Sequence, residues 1–144
     1  MIVIREMTIA DYDSVIELWR QTESMSLREA DSRESIERYL NRNTGLSFVA
    51  VNEDEVVGAV LVGTDGRRGY LQHLAVSLPL RGQKIGQALV DKSIKALALI
   101  GIHKTHLFVH NDNLNAQGFY EMLGWFPRDE VRMYSFNSSM SCNV

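Results

Sequence analysis

The chain is poor in cysteine and proline. One cysteine, Cys142, and two prolines in 144 residues exclude a disulfide framework, a collagen-like repeat and a proline-rich linker. Cys142 lies in the last three residues, a poor place to hold a catalytic thiol. No stretch reaches the roughly 18 consecutive apolar residues of a membrane span. Met1 to Thr8 shows no basic segment followed by a long apolar run, so no secretory leader is expected, and a reducing, cytoplasmic setting is the default expectation. A net charge of −3 gives no bulk attraction to nucleic acid. There is no G-x-x-x-x-G-K-[ST] run to support nucleotide hydrolysis and no G-x-G-x-x-G to support a dinucleotide site. The four histidines, His73, His103, His106 and His110, lack companion ligands at convincing spacing, so no metal is expected.

What is present is ordinary for a folded protein: 45% hydrophobic and 23% charged side chains. A chain of this length buries roughly 70% of its unfolded surface and needs no staple. No linker or repeat divides it, so one domain over residues 1–137 is expected, followed by a small polar tail, 138–144. Charge is unevenly spread. Residues 1–65 carry six basic and thirteen acidic side chains, a net of −7, and the remainder is +4. Such halves suit a cationic and an anionic partner, although solvated helix faces account for them equally well.

The apolar pattern alternates between two periods. Ile2 and Ile4 mark a short strand over Met1–Glu6. Thr8 with Asp11 resembles a capping box ahead of a helix carrying Val15, Leu18 and Trp19. Asp31 with Glu34 reads as the start of a second helix, with Ile36, Tyr39 and Leu40 as its stripe. Leu46–Val51, Val56–Val62 and Tyr70–Ser77 read as strands joined by turns at 52–54 and 63–69. Gly82–Ile100 is a long amphipathic helix stopped by Gly101. Thr105–His110 reads as a strand, Asn115–Leu123 as a short helix closed by Gly124, and Val131–Phe136 as a last strand. The fold class is therefore α/β, a mixed, mainly antiparallel sheet with one parallel pair across the long helix.

Chemistry concentrates in Leu71–Gly86. A buried strand runs into a turn marked by Pro79, then into a glycine-punctuated loop that opens the long helix. First-turn amides have no intrahelical acceptor, and the helix dipole adds partial positive charge. Gly82 and Gly86 allow close backbone approach, while Arg81 and Lys84 bring formal charge. Together these make a cradle for a pyrophosphate; glycines that only ease packing are the plainer reading.

A second run, Asn111 to Trp125, completes a resemblance to the GNAT superfamily of acyl-CoA-dependent N-acetyltransferases. Arg81–Gly86 resembles that family's Q/R-x-x-G-x-G/A loop, with Lys84 in place of the first motif glycine. Phe119-Tyr120-Glu121-x-Leu123-Gly124-Trp125 resembles its later helix motif, with Asn113 seven residues ahead of Tyr120. The order of elements matches from the first strand to Phe136.

The resemblance implies a GNAT-like single domain whose central parallel strands splay, with helices on both faces. The pantetheine arm of acetyl-CoA would lie in the gap and pair with main-chain groups of Leu74, Ala75 and Val76. Arg81, Gly82, Gln83, Lys84, Ile85 and Gly86 would hold the pyrophosphate; Lys84 fits there if its φ is negative. Asn113 or Asn115 would bond the pantetheine arm, or cap the short helix instead. Tyr120 would be the general acid that protonates the leaving sulfur, unless it only packs beside Phe119. A histidine's ordinary pKa of about 6.5 suits removal of the amine proton. His73 and His110 are the candidates for that task, with a water relay as a third route. An amide near Ala75 would support the oxyanion. Cys142 in the tail implies no acyl-enzyme.

The implied activity is acetyl transfer from acetyl-CoA to a primary amine, on a small molecule or a peptide, in a ternary complex. The alternative is a non-catalytic acyl-CoA sensor or interaction module. Loop Thr22–Ala30 and turn Gly63–Gly69 would flank the acceptor mouth, where Glu23, Glu29 and Asp65 would attract a cationic amine, unless each is only a solvated surface charge. Trp19 and Trp125 read as core or wall residues. A homodimer through the last strand and tail is a further expectation; no nucleic acid or membrane partner is expected.

Overall fold

A computed structural model describes residues 1–144. The chain divides into two compact units, Met1–Leu107 and Phe108–Val144. The first holds β1 (Ile2–Glu6), α1 (Tyr12–Arg20), α2 (Arg33–Arg42), β2 (Phe48–Asn52), β3 (Glu55–Thr64), β4 (Gly69–Val76), α3 (Ile85–Leu99) and β5 (Thr105–His106). The second holds α4 (Leu114–Met122). The fold is α/β: a five-stranded mixed sheet in the order β1-β2-β3-β4-β5, antiparallel except for the β4–β5 pair.

Helices cover both faces of the sheet. Val15, Leu18 and Trp19 of α1 and Ile36 of α2 pack with Val49, Ala59, Leu61 and Ala75 of the strands. The opposite face receives α3: a Cβ added at Gly58 would lie 3.1 Å from Leu89 Cδ1 and 3.3 Å from Ile85 Cγ2. Glycine at this strand position therefore sets how closely helix and sheet approach. Within the sheet, buried Ser47 both donates to the Val62 carbonyl and accepts from its amide, at 3.2 and 2.8 Å.

Helix starts are set by local chemistry. Ser32 caps α2 by accepting from the Ser35 amide at 3.2 Å. Asp31 is not the cap, contrary to expectation; it closes a preceding 3₁₀ turn and is buried. Asp11 accepts from the Thr8 amide at 2.9 Å and pairs with Arg5 through both carboxylate oxygens, at 2.8 and 2.9 Å. Burial works against its charge, but these bonds outweigh it and hold the Asp11 carboxyl below its usual range.

Three expectations shift. The long helix begins at Ile85 rather than Gly82, because Gly82 (φ +86°) and Lys84 (φ +64°) stand in left-handed backbone. The strand expected over 105–110 pairs only at Thr105 and His106. Val131–Phe136 forms no strand. Its side chains on both parities are open to solvent, Phe136 at 94%, and an alternating pattern without a neighbour to pair with gains nothing from extension. With that strand absent, the β4–β5 pair forms one edge of the sheet.

Candidate active site

The site grows from two irregularities in β4. The first is a bulge: Leu61 pairs with Gln72 and Ala59 with Ala75, so His73 and Leu74 together oppose Val60. A two-for-one bulge resets strand alternation and re-aims side chains. Here Ala75 joins the core on the α1 face, and His73 adopts φ +51°, a left-handed conformation that costs on the order of 1 kcal/mol outside glycine. Neighbouring bonds hold it. The Trp19 indole, 0% exposed, donates from Nε1 to the His73 carbonyl at 3.0 Å, and the two rings lie 4.8 Å apart.

The second irregularity is loss of pairing. β4 and β5 register only at Gly69–Thr105 and Tyr70–His106. From Leu71 to Val76, β4 has β3 on one side and no paired strand on the other. Leu74, Ala75 and Val76 fall within this open stretch. Main-chain groups in such an edge accept an extended, amide-bearing ligand as a sheet accepts another strand.

β4 then leads through a 3₁₀ turn, Leu78–Leu80, to the start of α3. Ala88 is the first amide of this helix with a main-chain acceptor, the Lys84 carbonyl at 3.0 Å. The amides of Gly82, Gln83, Lys84, Ile85, Gly86 and Gln87 make no main-chain hydrogen bond, which leaves a run of donors at the positive end of the dipole. The positive φ of Lys84 corrects the expectation of a negative one: its side chain is exposed and its backbone takes the turn that glycine adopts more readily. Arg81 also departs from a simple cationic role. Its guanidinium pairs with Glu23 at 2.7 and 3.3 Å, and its Nε donates to the Val76 carbonyl at 3.1 Å. The Arg81 bond holds the Glu23 carboxyl below its usual range.

His73 has a partner that sequence reasoning missed. Its Nε2 lies 2.9 Å from Asp31 Oδ1, and Asp31 Oδ2 accepts from the Arg28 amide at 3.0 Å. Burial would raise the Asp31 carboxyl, but the His73 and Arg28 bonds prevail and keep it below its usual range. The Tyr12 hydroxyl donates to the Asp31 carbonyl at 2.7 Å. Asp31 and His73 are 42 positions apart, and the capping chemistry of the Asp31 neighbourhood pointed only to a local role.

The other candidates are placed as follows. Asp65 is committed to its own turn, accepting from the amides of Arg67 and Arg68 at 2.8 Å each. His110 is exposed and outside any strand; its carbonyl accepts from Gln117 Nε2 at 3.0 Å. Asn113 caps α4 by accepting from the Ala116 amide at 3.1 Å, and Asn115 is exposed in the first turn. The Tyr120 ring lies edge-on to Phe119 and Trp125, with centroids 5.0 and 5.6 Å away. Burial pushes its phenol up to about 12, so it is a neutral proton donor at physiological pH.

An open strand edge feeding a helix N-terminus of unpaired amides is the architecture of an acyl-carrier-binding transferase. The chain belongs to the acetyltransferase (GNAT) family, which matches residues 12–125, and it is an acyltransferase. It is 38% identical over 123 residues, 85% of this chain and 86% of the other, to a protein of Pectobacterium atrosepticum named as an acetyltransferase. Among solved structures it resembles the PaiA N-acetyltransferase of Thermoplasma acidophilum, solved with coenzyme A. There the TM-score is 0.76 at 22% identity, covering 85% of this chain and 88% of that one. An acetyltransferase of GNAT family from Staphylococcus aureus gives a TM-score of 0.73 at 26% identity, with 85% and 81% covered. No helix is long and apolar enough to cross a membrane.

Proposed function

We propose that this protein moves an acetyl group from acetyl-CoA to a primary amine by direct attack within a ternary complex. One observation carries the reading: β4 loses its partner strand after Tyr70 and runs, still open, to the free amides before α3. The seam offers Leu74, Ala75 and Val76 to the pantetheine amides. The loop Arg81–Gly86 offers its amides and the Lys84 ammonium to the pyrophosphate, with Arg81 anchoring the loop through Glu23. The family resemblance assigns either Asn113, through its side-chain nitrogen, or Asn115 to the pantetheine arm. PaiA and a glucosamine-6-phosphate N-acetyltransferase of Arabidopsis thaliana, structural neighbours of this chain, carry names that denote acyl transfer to nitrogen.

When bound, acetyl-CoA supplies the thioester carbonyl. His73 takes the first proton from the substrate ammonium, leaving the nitrogen lone pair free to form the C–N bond. A main-chain amide of the Leu74–Val76 stretch supports the carbonyl oxygen as negative charge grows on it. As the C–S bond breaks, Tyr120 gives its phenolic proton to the sulfur and is replenished by the second proton of the nitrogen. The products are an amide, a free thiol and one proton released through His73.

Thiol release from acetyl-CoA across a panel of amines tests the reading. Tyr120→Phe is expected to lower kcat by roughly a hundredfold while acetyl-CoA still raises the melting temperature. Undiminished turnover removes Tyr120 from the proton path. A rise in melting temperature without thiol release from any amine favours the acyl-CoA sensor instead.

A further inference from the structure

The pairing of His73 with Asp31 goes beyond proton removal by a lone histidine. We infer that Asp31 is a positioning residue that fixes His73 as the Nε2–H tautomer and so leaves Nδ1 as the atom that accepts the amine proton. This rests on the reading of His73 as the base.

Five contacts support it. Asp31 is 8% exposed and its carboxylate is filled: Oδ1 faces His73 Nε2 at 2.9 Å, and Oδ2 accepts the Arg28 amide at 3.0 Å. A carboxylate held in its ionised form only accepts, so the ring nitrogen facing it carries hydrogen in both charge states of the imidazole. The Tyr12 hydroxyl bonds the Asp31 carbonyl and fixes this backbone beside α1. The Trp19 ring is tilted against the imidazole, centroids 4.8 Å apart and planes 54° from parallel, and its Nε1 donates to the His73 carbonyl. The bulge places the ring here through a φ of +51°, and the side chain keeps 24% of its surface exposed. Nδ1 makes no hydrogen bond with the protein. Through the tautomer it fixes, Asp31 acts on the step without touching substrate.

The Arg28 amide makes the test sharp. In Asp31→Asn the side-chain oxygen stays with Arg28, since otherwise that amide loses its acceptor. The NH₂ group then faces Nε2 and becomes the donor, forcing His73 into the Nδ1–H tautomer and blocking the proposed acceptor atom. Long-range proton–nitrogen NMR on histidine-labelled protein, assigned with His73→Gln, reads the tautomer directly. The expected results are Nε2–H in the wild type, Nδ1–H in Asp31→Asn, and roughly a hundredfold loss of kcat in that variant. The KM for acetyl-CoA stays within about twofold, because no residue of the carrier site is touched. A wild-type Nδ1–H tautomer overturns the inference and needs no variant to fold. Full turnover in Asp31→Asn overturns it as well when His73→Gln is impaired. Full turnover in His73→Gln shows that the reading of His73 as base has itself failed.

Discussion

Lys84 occupies backbone that glycine enters freely, at φ +64° and ψ +20°. Left-handed backbone costs a residue with a Cβ roughly 1–2 kcal/mol, whereas glycine loses about 0.4–1 kcal/mol through the extra freedom of its unfolded chain. Lys84→Gly is therefore expected to stabilise the empty protein by roughly 0.5 kcal/mol on chemical denaturation. The same change removes an exposed ammonium at the loop, and exposed ion contacts carry about 0.2–1 kcal/mol. Acetyl-CoA affinity should fall by roughly two- to fivefold, and Lys84→Gln should lose affinity without gaining stability. If Lys84→Gly lowers both quantities, either the backbone strain or the loop assignment is wrong. Other residue-level features were just as hidden. The φ of Lys84 and of His73 depends on the chain path around them, and Asp31 sits in a run of helix-capping residues whose tertiary partner no local spacing announces.

Elements were more legible than residues because burial imposes a period. The stripes of α1 and α2 and the β2–β3–β4 meander are where alternation placed them, within two residues at most ends. The parallel pair followed from a crossover helix, which antiparallel neighbours do not need. Failures came where pattern lacked tertiary support: β5 is two residues long, and Val131–Phe136 alternates without a partner. Packing between elements was unreadable from sequence, and Gly58 shows why it matters. Opposite Val76 at the end of β4, it brings Ile85 and Leu89 of α3 against the sheet. Gly58→Val should wedge the helix outward at a cost of about 1–3 kcal/mol. It should also weaken acetyl-CoA, since Ile85 begins the turn whose amides are offered to the pyrophosphate. A variant that loses stability but binds acetyl-CoA normally uncouples the helix position from the carrier site.

For the whole molecule, loss of stability in acid follows from Asp11 and Asp31. Both carboxyls lie below their usual range, so near pH 4 the native state binds fewer protons than the unfolded chain. Stability therefore rises with pH there. Their contribution is complete above the unfolded value near 3.8 and drains away as pH falls through the lower native values. Denaturant midpoints should decline from about pH 5 to about pH 3, and Asp11→Asn should flatten that decline. A midpoint that holds steady over the range would mean these carboxylates are unbonded in solution.

The tilted contact of Trp19 with His73 has an optical side. An imidazolium in contact with an indole quenches its emission, whereas neutral imidazole does so far less. Trp19 is wholly buried, and the one other tryptophan, Trp125, can be replaced by phenylalanine. The protein thus carries an intrinsic fluorophore against its proposed base, and light from that indole reports the charge on the ring with no label attached.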